Sequence, residues 1–265
     1  DYSSLLKGVK NNRLPLACTG LSSVHKSAVI SSLQQDTGKK ILVITPTESL
    51  ALEIGGDLSE LGVNCLNFPQ RDYCIGEITG YSKEYEHKRI DTLSKLLGGD
   101  FDVLTVSLDA ALQYTVPPEI LKNATFEISS GDTVSTEELT ERLIMSGYNR
   151  TDMCDGVGTF SVRGGIFDVY PADSTTPYRL EFWGDEIDTI SPFDTETQRR
   201  SESVEKIKIT PACEIIYNPL TLLEKLDGIK NNKKLTEAQK ERINADFIKL
   251  QNGISVLPDR YLPLI

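Results

Sequence analysis

The first 116 residues alternate short apolar runs with longer amphipathic stretches, and this alternation constrains the fold more than any other feature of the sequence. Short apolar runs predict buried parallel strands, because a strand covered on both faces has no polar side to show. The stretches between them predict helices, and strands alternating with helices are typical of a doubly wound α/β domain. The predicted strands are Leu14–Cys18, Ile41–Thr45, Val63–Phe68 and Phe101–Val106, and the predicted helices are Lys26–Leu33, Glu48–Leu61 and Lys83–Leu97.

Short strands of alternating polarity replace this pattern after Pro117. Two glycine-containing pairs, Gly164-Gly165 and Gly184-Asp185, each separate two such strands and predict two-residue hairpin turns. Residues 135–138 (Ser-Thr-Glu-Glu) form a capping box, which predicts the start of a helix. The middle of the chain is therefore predicted to be a small α+β unit with an antiparallel sheet.

Residues 215–265 have the apolar spacing of two helices and too few apolar residues for a core of their own. We expect this segment to pack on the first domain. The predicted domain boundaries are accordingly 1–117, 118–209 and 210–265.

Acidic residues outnumber basic residues by 39 to 28, giving a net charge of −11 and a pI near 4.8. Residues 117–208 hold 9 basic and 18 acidic groups, so they carry −9 of this excess. Protein–DNA affinity depends mainly on neutralising phosphates with basic side chains. The composition therefore argues against a generic duplex-DNA-binding module, and most strongly so for the middle of the chain.

The five cysteines include no CxxC pair, and the two histidines are far apart, so the sequence predicts no zinc site, no other metal site and no disulfide framework. Cys18 and Cys65 lie inside apolar runs and are predicted to be small core residues. No apolar run is long enough for a membrane span, and no signal peptide opens the chain. We expect a cytoplasmic protein and, since the chain begins at Asp1, a piece of a longer one.

The loop from Gly20 to Ser27 resembles a phosphate-binding P-loop in position and spacing, with Lys26 and Ser27 in the expected places. His25 stands where that motif has a glycine. A histidine there adds a bulky ring and penalises a turn that depends on glycine's conformational freedom. We interpret the loop as a degenerate, non-hydrolysing nucleotide site, with weak nucleotide or anion binding by the helix N-terminus as the alternative.

The strand predicted at Phe101–Val106 does not end in the acidic pair that would anchor Mg²⁺ in an active nucleotide site. The sequence therefore predicts no catalytic residue and no cofactor in this chain. Other nucleophilic arrangements are equally weak, because no G-x-S-x-G elbow is present.

Three segments in the middle of the chain are more specific: residues 148–171 (YNRTDMCDGVGTFSVRGGIFDVYP), 177–188 (PYRLEFWGDEID) and 191–199 (SPFDTETQR). Together they resemble the inserted domain shared by the excision-repair subunit UvrB and the bacterial transcription-repair coupling factors (Mfd). The last segment and the degenerate loop are more similar to the coupling factors than to UvrB. Residues 68–82 fit the family's proline-rich pattern poorly, so the role of that loop stays open.

This resemblance implies a UvrB-like module made of domain 1A, inserted domain 2 and the start of domain 1B. It implies that the module recruits UvrA to stalled transcription. RNA polymerase and double-stranded DNA would be bound by parts beyond this chain, which would supply the ATP-dependent translocase activity. The remaining alternatives are the N-terminal part of an ATP-dependent UvrB-like repair helicase, which His25 argues against, and a nucleic-acid-binding module, which the charge opposes.

The strand pattern itself places Arg163, Arg179 and Trp183 on the polar face of the predicted sheet, because successive strand residues point to opposite faces. Tryptophan and arginine are enriched at binding hot spots. In the family that the sequence resembles, the two arginines and an aromatic residue, usually phenylalanine, contact UvrA. The alternative is that both arginines form weak surface ion pairs with Asp168, Glu181 or Asp185.

Overall fold

The computed structural model of this mixed α/β chain describes residues 1–71, 84–252, 256, 261 and 264. The loop at residues 68–82 thus lies outside the described residues from residue 72 onward. The chain divides into two compact units. The first comprises Asp1–Arg71 and Glu84–Gln113, and the second holds the described residues from Tyr114 onward.

The first unit has a parallel sheet of three strands: β1 (Ile41–Thr45), β2 (Cys65–Phe68) and β3 (Val103–Ser107), in the order β1-β3-β2. Its helices are α1 (Tyr2–Lys10), α2 (Ser23–Thr37), α3 (Glu48–Glu60), α4 (Glu84–Gly98) and α5 (Leu108–Ala111). Helix α3 buries Ile54 and Leu58 against Val103 of the central strand. Three of the four predicted parallel strands are therefore confirmed.

The predicted strand Leu14–Cys18 is wrong, because this segment is not hydrogen-bonded into the sheet. Leu14, Leu16 and Cys18 are all exposed, so the predicted core position of Cys18 is wrong as well. Pro15 has no backbone N–H and cannot complete the hydrogen bonding of a central strand. An apolar run shows that a segment can be buried, whereas its pairing depends on a neighbour that the run does not identify.

The second unit contains a five-stranded sheet in chain order β5 (Asn149–Arg150), β6 (Thr159–Arg163), β7 (Ile166–Val169), β8 (Tyr178–Trp183) and β9 (Glu186–Pro192). Both predicted hairpins are confirmed, since β6 pairs with β7 and β8 pairs with β9 in antiparallel fashion. A separate antiparallel pair joins β4 (Phe126–Ser129) to β10 (Lys206–Ile209). The sequence analysis did not identify β4 or the short helix α6 (Pro118–Ala124).

Helix α7 (Thr136–Met145) accompanies this sheet, and Ser135 caps its first turn by accepting a hydrogen bond from the backbone N–H of Glu138 at 3.1 Å. The core of this part consists of apolar side chains from α7 and from one face of the sheet: Leu139, Leu143, Phe160, Phe167, Leu180 and Ile190. The rings of Phe160 and Phe167 stack with centroids 5.5 Å apart. This packing covers one face of the sheet and leaves the other for polar side chains.

Helices α8 (Pro219–Ile229) and α9 (Glu237–Gln251) form a hairpin at the C-terminal side of the second unit. They share an apolar cluster of Leu222, Leu226, Ile243 and Leu250. These two helices thus share an apolar contact, and the predicted packing of this segment on the first domain stays a prediction. The boundaries 1–117, 118–209 and 210–265 stay a prediction.

Among the described residues, no helix is long and apolar enough to cross a membrane. Within the same ranges, histidine, cysteine and acidic side chains nowhere gather in a group of three that could hold a metal ion.

Candidate functional site

Two rows of side chains run across the polar face of the five-stranded sheet. Cross-strand pairing places Ser161, Asp168, Arg179 and Ser191 in one row and Arg163, Ile166, Glu181 and Thr189 in the next. Paired residues of neighbouring strands point to the same face, about 5 Å apart. The core residues Phe160 and Leu180 alternate with these rows and point to the opposite face. The first row is buried and the second reaches solvent.

Arg179 and Asp168 form a bidentate ion pair at the centre of the buried row. The Arg179 Nε and Nη2 atoms donate to the two carboxylate oxygens of Asp168 at 2.7 and 2.8 Å. The Asp168 side chain is 1% exposed and that of Arg179 is 13% exposed. Hydrogen bonding to Asp168 raises the pKa of Arg179 above its ordinary value. Arg179 therefore links strands β7 and β8 through its ion pair with Asp168, which we call the brace. Most of the Arg179 surface is withdrawn from solvent.

The segment from Phe193 to Arg200 covers the brace. The ring of Phe193 lies 4.6 Å from the Arg179 guanidinium, and the Gln198 side chain accepts a hydrogen bond from Arg179 at 2.9 Å. Asp194 closes the turn between them by accepting bonds from the backbone N–H and the hydroxyl of Thr197, at 2.7 and 2.8 Å. These bonds, led by the backbone bond from Thr197, lower the pKa of Asp194. The distinctive 191–199 sequence thus has a structural role in holding Arg179.

Arg163 and Trp183 lie on the exposed part of the same face. The Arg163 side chain is 48% exposed, and its Nη2 donates to Asp168 at 3.0 Å. Trp183 ends β8 opposite Glu186 and is 84% exposed. We call the area formed by Arg163, Ile166, Glu181 and Trp183 the hairpin surface.

The structure thus brings two of the predicted residues, Arg163 and Arg179, together through a shared carboxylate. Trp183 follows on the same face, two residues beyond Glu181. The strand pattern predicted this face for all three side chains but not the burial of Arg179. Arg179 is buried because the Phe193–Arg200 segment returns over the sheet. The alternation of polar and apolar residues in β8 does not reveal this return.

Sequence reasoning also missed Glu181 and Arg200 as a pair on this face. Arg200 forms an ion pair with Glu181, and Thr189 donates to the other Glu181 oxygen at 3.0 Å. Hydrogen bonding, first from Arg200 and then from Thr189, lowers the pKa of Glu181. In the sequence, the adjacent residues Arg199 and Arg200 give no indication of this contact.

The degenerate nucleotide loop lies in the first unit. Gly20 has a φ of +78°, and Ser22 lies next to His25, with its Oγ 2.8 Å from the imidazole Nδ1. Lys26 is exposed, whereas Ser27 is buried and donates to an Asp57 carboxylate oxygen at 2.8 Å. The hydroxyl that would bind Mg²⁺ in a working P-loop is thus directed into α3.

We expect Mg-ATP to leave the thermal unfolding of this chain unchanged, because His25 replaces the glycine of the motif and Ser27 is bonded to Asp57. A ligand at about 100 times its dissociation constant would add about 2.7 kcal/mol of stability. Thermal unfolding with and without Mg-ATP checks this. A clear rise in Tm that the Lys26→Ala variant abolishes would contradict the prediction and show a working nucleotide site.

A match to a known protein family covers the part of the chain that contains the five-stranded sheet. Residues 126–214 match the family described as the UvrB interaction domain. The chain is similar to the transcription-repair-coupling factor of Bacillus subtilis, with 31% identity over 248 residues, which is 91% of this chain and 21% of that protein. The corresponding Staphylococcus aureus protein is 30% identical over 75% of this chain and 17% of its own length. The chain therefore spans about a fifth of the length of the curated relatives it matches.

Proposed function

Since the chain belongs to the transcription-repair coupling factors and contains their UvrB interaction domain, we propose that it is a non-catalytic module that docks the excision-repair protein UvrA. The docking site is the hairpin surface. The module makes no chemical change in its partner. It contributes binding energy and a defined orientation.

The observation that carries this proposal is the exposure of Trp183 on the face of the sheet that also carries Arg163. A large aromatic side chain left 84% exposed forfeits the free energy of its burial, and a partner surface recovers that energy on binding. Arg163 on the same face adds a planar fork of donors suited to carboxylates. Aromatic and arginine side chains are the types that dominate interface energetics.

The brace beneath the surface supports the same proposal. Arg163 shares Asp168 with Arg179, so its guanidinium is held on a buried, hydrogen-bonded base. A held side chain loses less conformational entropy on binding than a mobile one. In the proposed function Arg163 and Trp183 contact UvrA, while Arg179 helps to position Arg163 through Asp168.

Docking by this module brings UvrA to stalled transcription when other parts of the full protein hold RNA polymerase and double-stranded DNA. Two linked binding events raise the effective concentration of the second partner without any new contact. The acidic character of residues 117–208 is compatible with this division, because this module then has no need to bind DNA itself.

Titration calorimetry of the chain against purified UvrA tests the proposal. Arg163→Glu should weaken binding by about tenfold or more, because it reverses the charge at the hairpin surface. Arg242→Glu is the matched control, since Arg242 is exposed on α9 and the same charge change occurs away from the sheet.

Equal affinity of wild type and Arg163→Glu, with both proteins folded, would remove Arg163 from the site. Absence of binding by the folded wild-type chain would count against docking by this module altogether. Equal weakening by Arg242→Glu would indicate a general charge effect in place of a local contact.

A further inference from the structure

Arg200 places a second guanidinium on the hairpin surface from outside the strands that form it. The residue follows the turn at Asp194 and forms an isolated antiparallel bridge with Phe193. Its side chain is about half exposed and forms the ion pair with Glu181. Glu181 lies in the exposed row between Ile166 and Thr189. The position of Arg200 is thus set by the sheet and by its own loop.

The way in which Glu181 binds Arg200 leaves the guanidinium with donors for a second acceptor. One carboxylate oxygen of Glu181 binds Arg200 and the other accepts from Thr189, so the carboxylate is fixed from two sides. A guanidinium has five N–H donors, and a single carboxylate oxygen uses only part of them. Arg163 lies two strands from Glu181 in the same row, about 10 Å away.

We infer that Arg200 is a further docking residue, which binds a carboxylate of the partner while Glu181 and Thr189 orient it. This inference rests on the proposed function and specifies the chemistry of the partner surface. Arg163 and Arg200 lie on the same face of the sheet as Ile166 and the exposed Trp183, and such a face fits an apolar patch flanked by acidic side chains. Both arginines are about half exposed on this face, and their guanidinium groups favour an acidic partner face.

The test measures the affinity of the chain for purified UvrA at several salt concentrations. Arg200→Ala should weaken binding about tenfold and reduce its salt dependence, because one charge contact is lost. Arg199→Ala is the matched control, since the neighbouring arginine is exposed and lies outside the bridge with Phe193. Thermal unfolding confirms that each variant is folded.

A double variant shows whether Arg200 contacts the partner or only neutralises the charge of Glu181. If Arg200 only neutralises Glu181, then Arg200→Ala with Glu181→Gln should bind like wild type, because no unpaired carboxylate remains. If Arg200 contacts the partner, the double variant should stay as weak as Arg200→Ala. Full recovery of affinity would overturn the inference.

Trp183→Ala distinguishes this inference from the proposed function. Loss of binding in Trp183→Ala with wild-type affinity in Arg200→Ala would overturn the role of Arg200 and leave docking at this surface intact. Wild-type affinity in both variants would count against the proposed docking surface itself. Weakening by Arg199→Ala to the same extent as Arg200→Ala would also overturn the specific role of Arg200.

Discussion

Trp183→Ala should weaken binding of UvrA by about 30-fold or more, which corresponds to roughly 2 kcal/mol. The indole is 84% exposed in the free chain, so the substitution removes partner contacts and very little internal packing. The free energy of unfolding should therefore change by less than about 0.5 kcal/mol. Calorimetric titration and denaturant unfolding of the same protein preparation measure both quantities.

Two further variants make this result specific. Trp183→Phe should retain most of the affinity, because a phenyl ring still offers aromatic surface for burial by the partner. Met145→Ala removes an exposed apolar side chain from α7 in the same unit and should leave binding unchanged. Wild-type affinity in Trp183→Ala would place the docking surface elsewhere, whereas a large fall in stability would show that the indole has an internal structural role.

Asp168→Ala should lower the free energy of unfolding by about 3–5 kcal/mol, because it leaves the mostly buried Arg179 guanidinium without its carboxylate. Arg163 loses its hydrogen bond in the same variant. Denaturant unfolding at neutral pH measures the change. The effect should be larger than that of removing an exposed ion pair such as Lys206 with Glu127, which contributes about 0–1 kcal/mol.

A double-mutant cycle with Arg179→Ala locates the effect in the pair. Removing both charges should cost less than the sum of the two single changes, since neither group then remains buried alone. Additive costs, or a loss below about 1 kcal/mol in Asp168→Ala, would contradict the brace. The same reasoning predicts that Arg179→Glu unfolds this part of the chain, because it sets two carboxylates against each other in a buried site. Arg163 and Trp183 are therefore better positions for testing docking.

The hairpins of the second unit could be predicted because their information is local. Gly164-Gly165 and Gly184-Asp185 fix the turns, and the alternation of β8 fixes which face carries Trp183. The family resemblance lay in these same segments and is confirmed by the similarity to the coupling factors. Local signals of this kind need no knowledge of distant parts of the chain.

Expectations from the sequence were wrong or incomplete where a distant residue decides the outcome. Arg179 is buried because Phe193 and Gln198 return over it, and Ser27 is turned away from the loop by Asp57, thirty positions along the chain. Leu14–Cys18 has the composition of a strand, yet the described residues provide it with no sheet partner. Burial and pairing at these positions are properties of the tertiary structure.

The pairing of β4 with β10 has a consequence for how this domain combines with other chains. Phe126 and Ile209 are directly paired, so the backbone enters and leaves residues 126–209 at points about 5 Å apart. A host protein can therefore accept the whole segment at a single surface loop without separating its own flanking residues. The two ends of the segment are thus held together by its own backbone hydrogen bonds.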